Sequence, residues 1–467
     1  MTALHELDAC QLVRLVRSRQ ASRREVAEAH LDRLEETNPR VNAIVAARNR
    51  ADVLREAGAA DRDHDRRSGL PLDGVPVSIK DHFDVEGLTH DEGVRALAGR
   101  RSPGSSLVVE RLVAAGALVV GKANQPDFTI RWNTVNGLHG ATRNPRDLRL
   151  SAGGSSGGDA AAVAAGMAAI GLGTDYGGSI RVPATFCGIF GLRPTPGRVP
   201  HVQALDPAGY PPTADIMSAP GPLARSLGDL WTVLRVLAGA DPRDPVSVPV
   251  PAPPERPLRP DPPVVARLDR HTGAVLAPEV ERELDRTCAA LEQAGYRVVD
   301  AGFPGGTRAP ELWAELIGPE LIFAAMPAWR EILNDSNRDH IDKLFGGVFQ
   351  PENRVDRWVA AYVERKAIAQ QTSTWMEAHP LVVAPVAGMP TPPLDFDDFL
   401  SVDETRDLFD RMRSIGWVNL LGLPAVALPN GTQVVARRFR EAEAVHAAQA
   451  AAAELPPVAV AHVPSGI

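Results

Sequence analysis

The 467-residue chain has three cysteines, Cys10, Cys187 and Cys288, far apart and odd in number. No CxxC pair occurs, so neither a disulfide framework nor a zinc cluster is expected. The twelve histidines form no HExxH or other close ligand pair, so no metal site is expected. Fifty Lys and Arg stand against 58 Asp and Glu without a basic block, and a net charge of −8 argues against electrostatically driven nucleic-acid binding. The start, MTALHELDAC, lacks a basic region followed by an apolar one, so no signal peptide is expected. The longest weakly polar run, 160–174, is mostly Ala and Gly, too short and too weakly hydrophobic to span a bilayer. A reduced cytoplasmic location without membrane or nucleic-acid partners is the expectation.

What is present is an ordinary globular composition, 44% hydrophobic and 23% charged, with 41 prolines and 40 glycines, above the usual share of the two. At about 100–200 residues per domain the length allows several domains or one large one. Residues 10–35 read as two amphipathic helices, with Ser22 and Glu25 as a capping box for the second. Asn38-Pro39 is expected to end that helix, and a charged helical stretch to run on to about Arg66. Gly74 to Lys80 alternates as a strand, with Val75, Val77 and Ile79 on one face and Ser78 and Lys80 on the other. A helix over 105–116 and a buried strand over 117–121 follow. Ten prolines within 242–263 predict an extended crossover. Strands are predicted at 264–268, 297–300 and 381–387, and helices at 278–294, 311–376 and 435–453. Strands alternating with helices indicate an α/β layered fold.

The chemistry concentrates in two glycine-serine turns. Gly153-Gly-Ser-Ser-Gly-Gly158 is not a phosphate loop, because Asp159 stands where a lysine would meet the phosphates. The segment also fits GxSxG, with Ser155 as nucleophile and His201, His340 or His446 as base, although residues 145–150 make a poor preceding strand. A plain glycine loop capping a helix is the bland alternative. The second turn is Gly173-Thr-Asp-Tyr-Gly-Gly-Ser179-Ile-Arg181. Adjacent glycines let consecutive N–H groups face one concavity, as an oxyanion hole needs, and the serine after them is placed to attack a carbonyl held there. Gly-Gly-Ser is also common turn chemistry. A serine nucleophile needs a base, and Lys80, desolvated at a strand end, could be neutral near pH 7. A lysine merely snorkelling there is the alternative, and spacing alone does not bring the three pieces together.

The set resembles the amidase signature family of serine amidohydrolases. The resemblance is carried by GGSSGG (153–158), the Ala-rich helix after it, and GTDYGGSIRVPATFCGIFGLRPT (173–195). It extends through ETNPRVNAIV, GVPVSIKDHFDVEG, LVAAGALVVGKANQPDF, GATRNPRD, GPLARSLGDL and NLLGLPAVALPNG, roughly nine-tenths of the chain. It implies one large α/β domain over 1–467, a mixed central sheet covered by helices on both faces. Within it come N-terminal helices (1–66), a core (70–235), the crossover (242–263), a variable helical region (305–376) and a C-terminal part (380–467).

By the same resemblance Ser179 is the nucleophile, Ser155 a bridging serine after a cis peptide, and Lys80 the base. The N–H groups of Tyr176, Gly177, Gly178 and Ser179 form the oxyanion hole, and Ser156, Asp175 and Arg181 hold the loops. The reaction implied is hydrolysis of a carboxylic amide through an acyl-enzyme, without cofactor, in a homodimer. Ala152, Asp159, Arg193 and His82 depart from the family's usual residues, and the loop after Asn430-Gly431 is shortened, a change expected to alter the substrate mouth. Substrate contacts are expected from Phe128, Trp132, Gly154, Tyr210, Trp313 and Trp329, with Phe323, Phe345 and Phe349 as further wall residues, for a small or medium acyl or aryl amide. Two alternatives stand beside this: the amidase-like component of a tRNA-dependent amidotransferase, which needs partner subunits, and an α/β-hydrolase using Ser155 with a histidine.

Overall fold

Short runs rich in valine, isoleucine and leucine pair into one mixed sheet of 11 strands. The structure, a computed structural model, describes residues 2–67, 69–205, 211–269 and 271–464. The strands of this sheet are, in chain order, β1 (Ile44–Ala47), β2 (Pro76–Lys80), β3 (Leu118–Ala123), β4 (Ile170–Asp175), β5 (Phe190–Arg193) and β6 (Ala219–Ala224). They continue with β7 (Val264–Arg267), β8 (Arg297–Asp300), β9 (Leu381–Pro385), β10 (Ala425–Ala427) and β11 (Thr432–Ala436). The spatial order is β1-β3-β2-β4-β6-β5-β10-β11-β9-β7-β8. Two parallel blocks, β3-β2-β4 and β9-β7-β8, are joined through an antiparallel middle. Helical crossovers account for the parallel blocks, since parallel neighbours need long connections.

Every residue of β2 is buried, because a parallel strand inside such a sheet is covered on both faces. Its alternation still sorts the side chains. Val77 and Ile79, with Ile170 and Leu172 of β4, enter the apolar cluster packed by the N-terminal helices and the helices Leu227–Leu237 and Glu441–Ala452. Ser78 and Lys80 therefore face the other side, where the helix Gly157–Ala165 lies. The expected mixed sheet with helices on both faces is what forms. Among the described residues no helix is long and apolar enough to cross a membrane.

Several local expectations are corrected. The helix Arg23–Val41 runs through Pro39 and stops two residues later, with Asn42 in the left-handed region at φ 56°. Asn38 ends it by accepting the N–H groups of Ala43 and Ile44 at 2.8 and 2.9 Å. The chain then forms the edge strand β1 before the next helix, Arg50–Arg62. The last helix begins at Glu441, not 435, because Thr432–Ala436 is β11. Residues 242–263 form neither helix nor strand, as the prolines dictate. The stretch 311–376 is helical but interrupted, with wide π-helical turns at Glu320–Ala325 and Asp342–Phe349.

Pro220 and Pro222 sit in the central strand β6, opposite Thr174 and Leu172 of β4. In an antiparallel strand successive N–H groups point to opposite edges, and a proline has none, so Pro220 and Pro222 supply no ladder donor to either neighbour. On its other edge β6 pairs with β5 only at Leu223 and Ala224, beyond both prolines.

Candidate active site

Small residues let the site close up. Gly171 and Gly173 of β4 face the helix Gly157–Ala165: a Cβ on Gly171 would lie 2.8 Å from Asp159 Cβ, and one on Gly173 would lie 2.6 Å from Ser156 Oγ. The helix can therefore lie directly on β2 and β4, bringing the 153–158 turn onto the lysine at the end of β2. The Gly154–Ser155 peptide is cis, as the resemblance implies.

Lys80 is fully buried, and its Nζ donates to Ser155 Oγ at 2.7 Å and to Thr174 Oγ1 at 2.9 Å. Burial pushes the amine down to about 7, opposed by the carboxylates of Asp159, Glu92 and Asp175. Asp159, also fully buried, accepts Ser78 Oγ at 2.7 Å, and burial pushes its carboxyl up to about 7 against the pull of Ser78 and Lys80. A residue that sequence reading noted only as a departure thus shares the buried environment of the lysine.

The two turns are tied together, since Ser156 N–H donates to the carbonyl of Ser179 at 3.1 Å. Asp175 and Arg181 form a buried bidentate pair at 2.9 and 3.0 Å, not a surface ion pair. Asn419 donates to Asp175 Oδ1 at 2.9 Å, and Gln433 accepts Arg181 Nη1 at 2.8 Å. Burial alone would raise the Asp175 carboxyl; the Arg181 and Arg193 guanidiniums and Asn419 hold it well below the usual carboxylate range. One expectation changes here. The N–H of Gly178, grouped with the oxyanion donors, donates to Asp175 Oδ1 at 2.9 Å and is committed to the turn.

Ser179, Tyr176 and Gly177 line a cavity of about 390 Å³. Phe128, Trp132, Trp313 and Trp329 all stand in its wall, together with Phe345 from a π-helical turn. Phe128 stacks on Trp329 at 4.2 Å between centroids and 12° between planes. Gly154 is not in that wall: it is packed beneath the backbone of Arg131 and Asn133, and a Cβ there would lie 2.7 Å from either. Tyr210 lies outside the described residues. Phe323 is turned outward, and Phe349 packs on Phe409 instead of lining the cavity. The shortened loop at Asn430 meets Thr287, at 3.0 Å, away from the cavity wall, so the mouth is not reshaped there.

The α/β-hydrolase alternative fails on two counts. The strand before Ser155, Asp147–Ser151, belongs to a two-stranded ribbon outside the main sheet, whereas a nucleophile elbow grows from a central strand. The hydroxyl of Ser155 is bonded to an amine, Lys80, where that reading requires an imidazole. His446 is bonded to the Tyr296 hydroxyl at 2.7 Å, and burial pushes His340 down to about 4.

Sequence reading missed Thr174 as a partner of Lys80, because the register that sets β4 beside β2 is a tertiary fact. It also missed the polar end of the cavity, where His82 and His90 flank Glu92 at 3.3 and 3.0 Å. Among the described residues no cluster of His, Cys, Asp and Glu could hold a metal ion.

The family model described as Amidase matches residues 25–445. The chain is similar to an indoleacetamide hydrolase of Bradyrhizobium diazoefficiens, 35% identical over 447 residues, covering 93% of this chain and 84% of that protein. It is also similar to a glutamyl-tRNA(Gln) amidotransferase subunit from Chloroflexus aurantiacus, 42% identical over 253 residues, but over only 54% of this chain and 51% of that one. Among solved structures, a bacterial aryl acylamidase of the amidase signature family superposes with a TM-score of 0.81 at 25% identity, covering 97% of each chain. A substrate complex of 6-aminohexanoate cyclic dimer hydrolase gives 0.78 at 26% identity, covering 98% of each.

Proposed function

The chain belongs to the amidase family, and on that footing we propose that it hydrolyses aryl or arylalkyl carboxamides through an acyl-Ser179 intermediate. Amide hydrolysis itself follows from the family and from relatives that are amidohydrolases along their length. The observation that carries the mechanism is the buried 2.7 Å hydrogen bond between Lys80 and Ser155, with the amine pushed down to about 7.

Neutral Lys80 takes a proton from Ser155, Ser155 takes one from Ser179, and Ser179 attacks the substrate carbonyl. The N–H groups of Tyr176, Gly177 and Ser179 receive the oxyanion, each worth about 3–4 kcal/mol by analogy with other holes. The protons return along the same relay to the leaving amine, and water then releases the acid from Ser179. Ser156, Asp175 and Arg181 keep the two turns in register throughout.

The aromatic wall of the cavity and the relative named indoleacetamide hydrolase support a planar aromatic acyl group, with indoleacetamide the first compound to test. The amidotransferase reading is less favoured, because its sequence similarity covers about half of either chain, whereas the indoleacetamide hydrolase is similar over 93% of this chain and 84% of its own. The proposal includes a cytoplasmic homodimer, supported by the family resemblance. Light scattering during gel filtration tests the oligomer, and activity of the isolated chain separates it from an amidotransferase component. The central test is a hydrolysis panel of aromatic and aliphatic amides with wild type and Ser179→Ala. Loss of turnover in the variant and a fluorophosphonate adduct on Ser179 are expected; an adduct on Ser155, or turnover by Ser179→Ala, overturns the assignment.

A further inference from the structure

The turn before Ser179 is held by two indoles. Trp313 Nε1–H donates to the carbonyl of Tyr176 at 3.1 Å, and Trp132 Nε1–H donates to the carbonyl of Gly177 at 2.8 Å. A trans peptide is planar, with its C=O and N–H pointing in opposite directions. The carbonyl of Tyr176 and the N–H of Gly177 share one such plane; the carbonyl of Gly177 and the N–H of Gly178 share the next.

The two planes differ in how they are held. The Gly177–Gly178 peptide is fixed at both ends, by Trp132 on its carbonyl and by Asp175 Oδ1 on its N–H at 2.9 Å. The Tyr176–Gly177 peptide is fixed at its carbonyl by Trp313, and its N–H, that of Gly177, points away from that bond. The indole presses close: a Cβ on Gly177 would lie 2.5 Å from Trp313 Cζ2, so glycine is required for the ring to lie there. The two tryptophans are equally buried, each 6% exposed.

We propose that Trp313 is a positioning residue of the oxyanion hole, its indole N–H anchoring the Tyr176–Gly177 peptide so that the N–H of Gly177 meets the developing oxyanion. This rests on the reading of Ser179 as nucleophile. An oxyanion draws on the N–H of Gly177 only in the tetrahedral state, and an unanchored peptide between two residues of a glycine turn is free to rotate away from it. Anchoring the carbonyl keeps the donor aimed before charge develops, so the effect belongs to the transition state and not to substrate binding. Trp132 lacks this leverage, because its peptide is already held at the other end by Asp175.

Trp313→Phe removes the N–H and keeps an aromatic ring. It is expected to lower kcat about 10- to 100-fold, a fraction of the loss when a hole donor is deleted outright. KM changes less than about threefold, and affinity for an arylboronic acid, which forms a tetrahedral adduct on a serine hydroxyl, falls with kcat. Trp132→Phe shows the smaller fall in kcat. Equal falls in the two variants, or an unchanged kcat in Trp313→Phe, overturn the proposal. Should Trp313→Phe fail to fold, benzothienylalanine at position 313, isosteric with Trp but lacking the N–H, gives the same readout. Ser179→Ala in parallel separates the two claims. If it still turns over amides, the nucleophile reading falls; if it is inactive while Trp313→Phe keeps full kcat, only the role of Trp313 falls.

Discussion

Lys80 Nζ lies 2.7 Å from Ser155 Oγ, with both side chains shut away from solvent. Outside the protein a lysine amine is protonated at neutral pH and has no basicity to offer; here burial brings it to about 7. In the proposed mechanism Lys80 acts as base when neutral, above that value. Activity should therefore rise with pH along an acid limb centred near 7 and hold above it. A kcat/KM profile from pH 5 to 9 checks this, and Lys80→Met should cost about 10²–10⁴-fold across the range. A profile flat through pH 7 would contradict a lysine base at that value.

Asp159 supports the charged form of Lys80, the same side as Glu92 and Asp175, while burial works against it. Replacing Asp159 by Ser removes that support, so Lys80 loses its proton more readily and the acid limb moves to lower pH. Lys122, which also acts on Asp159, and His201, which feels Lys80, are unchanged in the variant. Ser78→Ala, which deletes the hydrogen bond to Asp159, should move the limb the same way. Limbs that coincide with wild type in both variants would contradict this coupling.

Phe128 and Trp329 stack face to face in the cavity wall. An aromatic pair is worth about 0.5–1.5 kcal/mol beyond its burial. Trp329→Ala should raise KM for indoleacetamide about 3- to 10-fold and leave KM for propionamide nearly as it was. Equal changes for the two substrates would mean that the stack supports the fold and not the acyl group.

Asp175 and Arg181 are both fully buried, and each satisfies the other. Removing Arg181 leaves Asp175 with the more distant Arg193 guanidinium, 3.6 Å away, as its remaining cation, at a cost of up to about 3–5 kcal/mol. Arg181→Met should lower the urea midpoint accordingly and loosen the Ser179 turn, since Asp175 also accepts from Gly178 N–H. A midpoint within 0.2 M of wild type, taken as roughly the scatter of such measurements, would show the pair to be dispensable.

Much of the site could be read along the chain because its chemistry is local. The 153–158 and 177–179 turns carry their glycines in sequence, and the φ of 75° at Gly153 and 95° at Gly178 explains why glycine stands at those positions. The two-residue period from Val75 to Lys80 assigned Lys80 to the face opposite Val77 and Ile79, and that is the face on which the 157–165 helix packs. Where reading along the chain failed, the deciding partner was distant in sequence. The strand β1 exists because β3 offers it an edge, with Ile44 opposite Ala123.

The sequence by itself determined the strand that ends at Lys80 and the two glycine turns, since backbone period and turn chemistry depend on near neighbours, while the roles proposed for Lys80, Ser155 and Ser179 rest on the family resemblance. The tertiary structure decided how the 176–179 turn is held, because Asp175 accepts the N–H of Gly178 while Trp313, 137 residues beyond Tyr176, donates to the carbonyl of the peptide before it. It decided that burial pushes the Lys80 amine down to about 7, because desolvation depends on the β4 strand and the 157–165 helix closing over it. Hydrogen-bond direction and dielectric surroundings are properties of packed neighbours, and packing draws those neighbours from the whole chain.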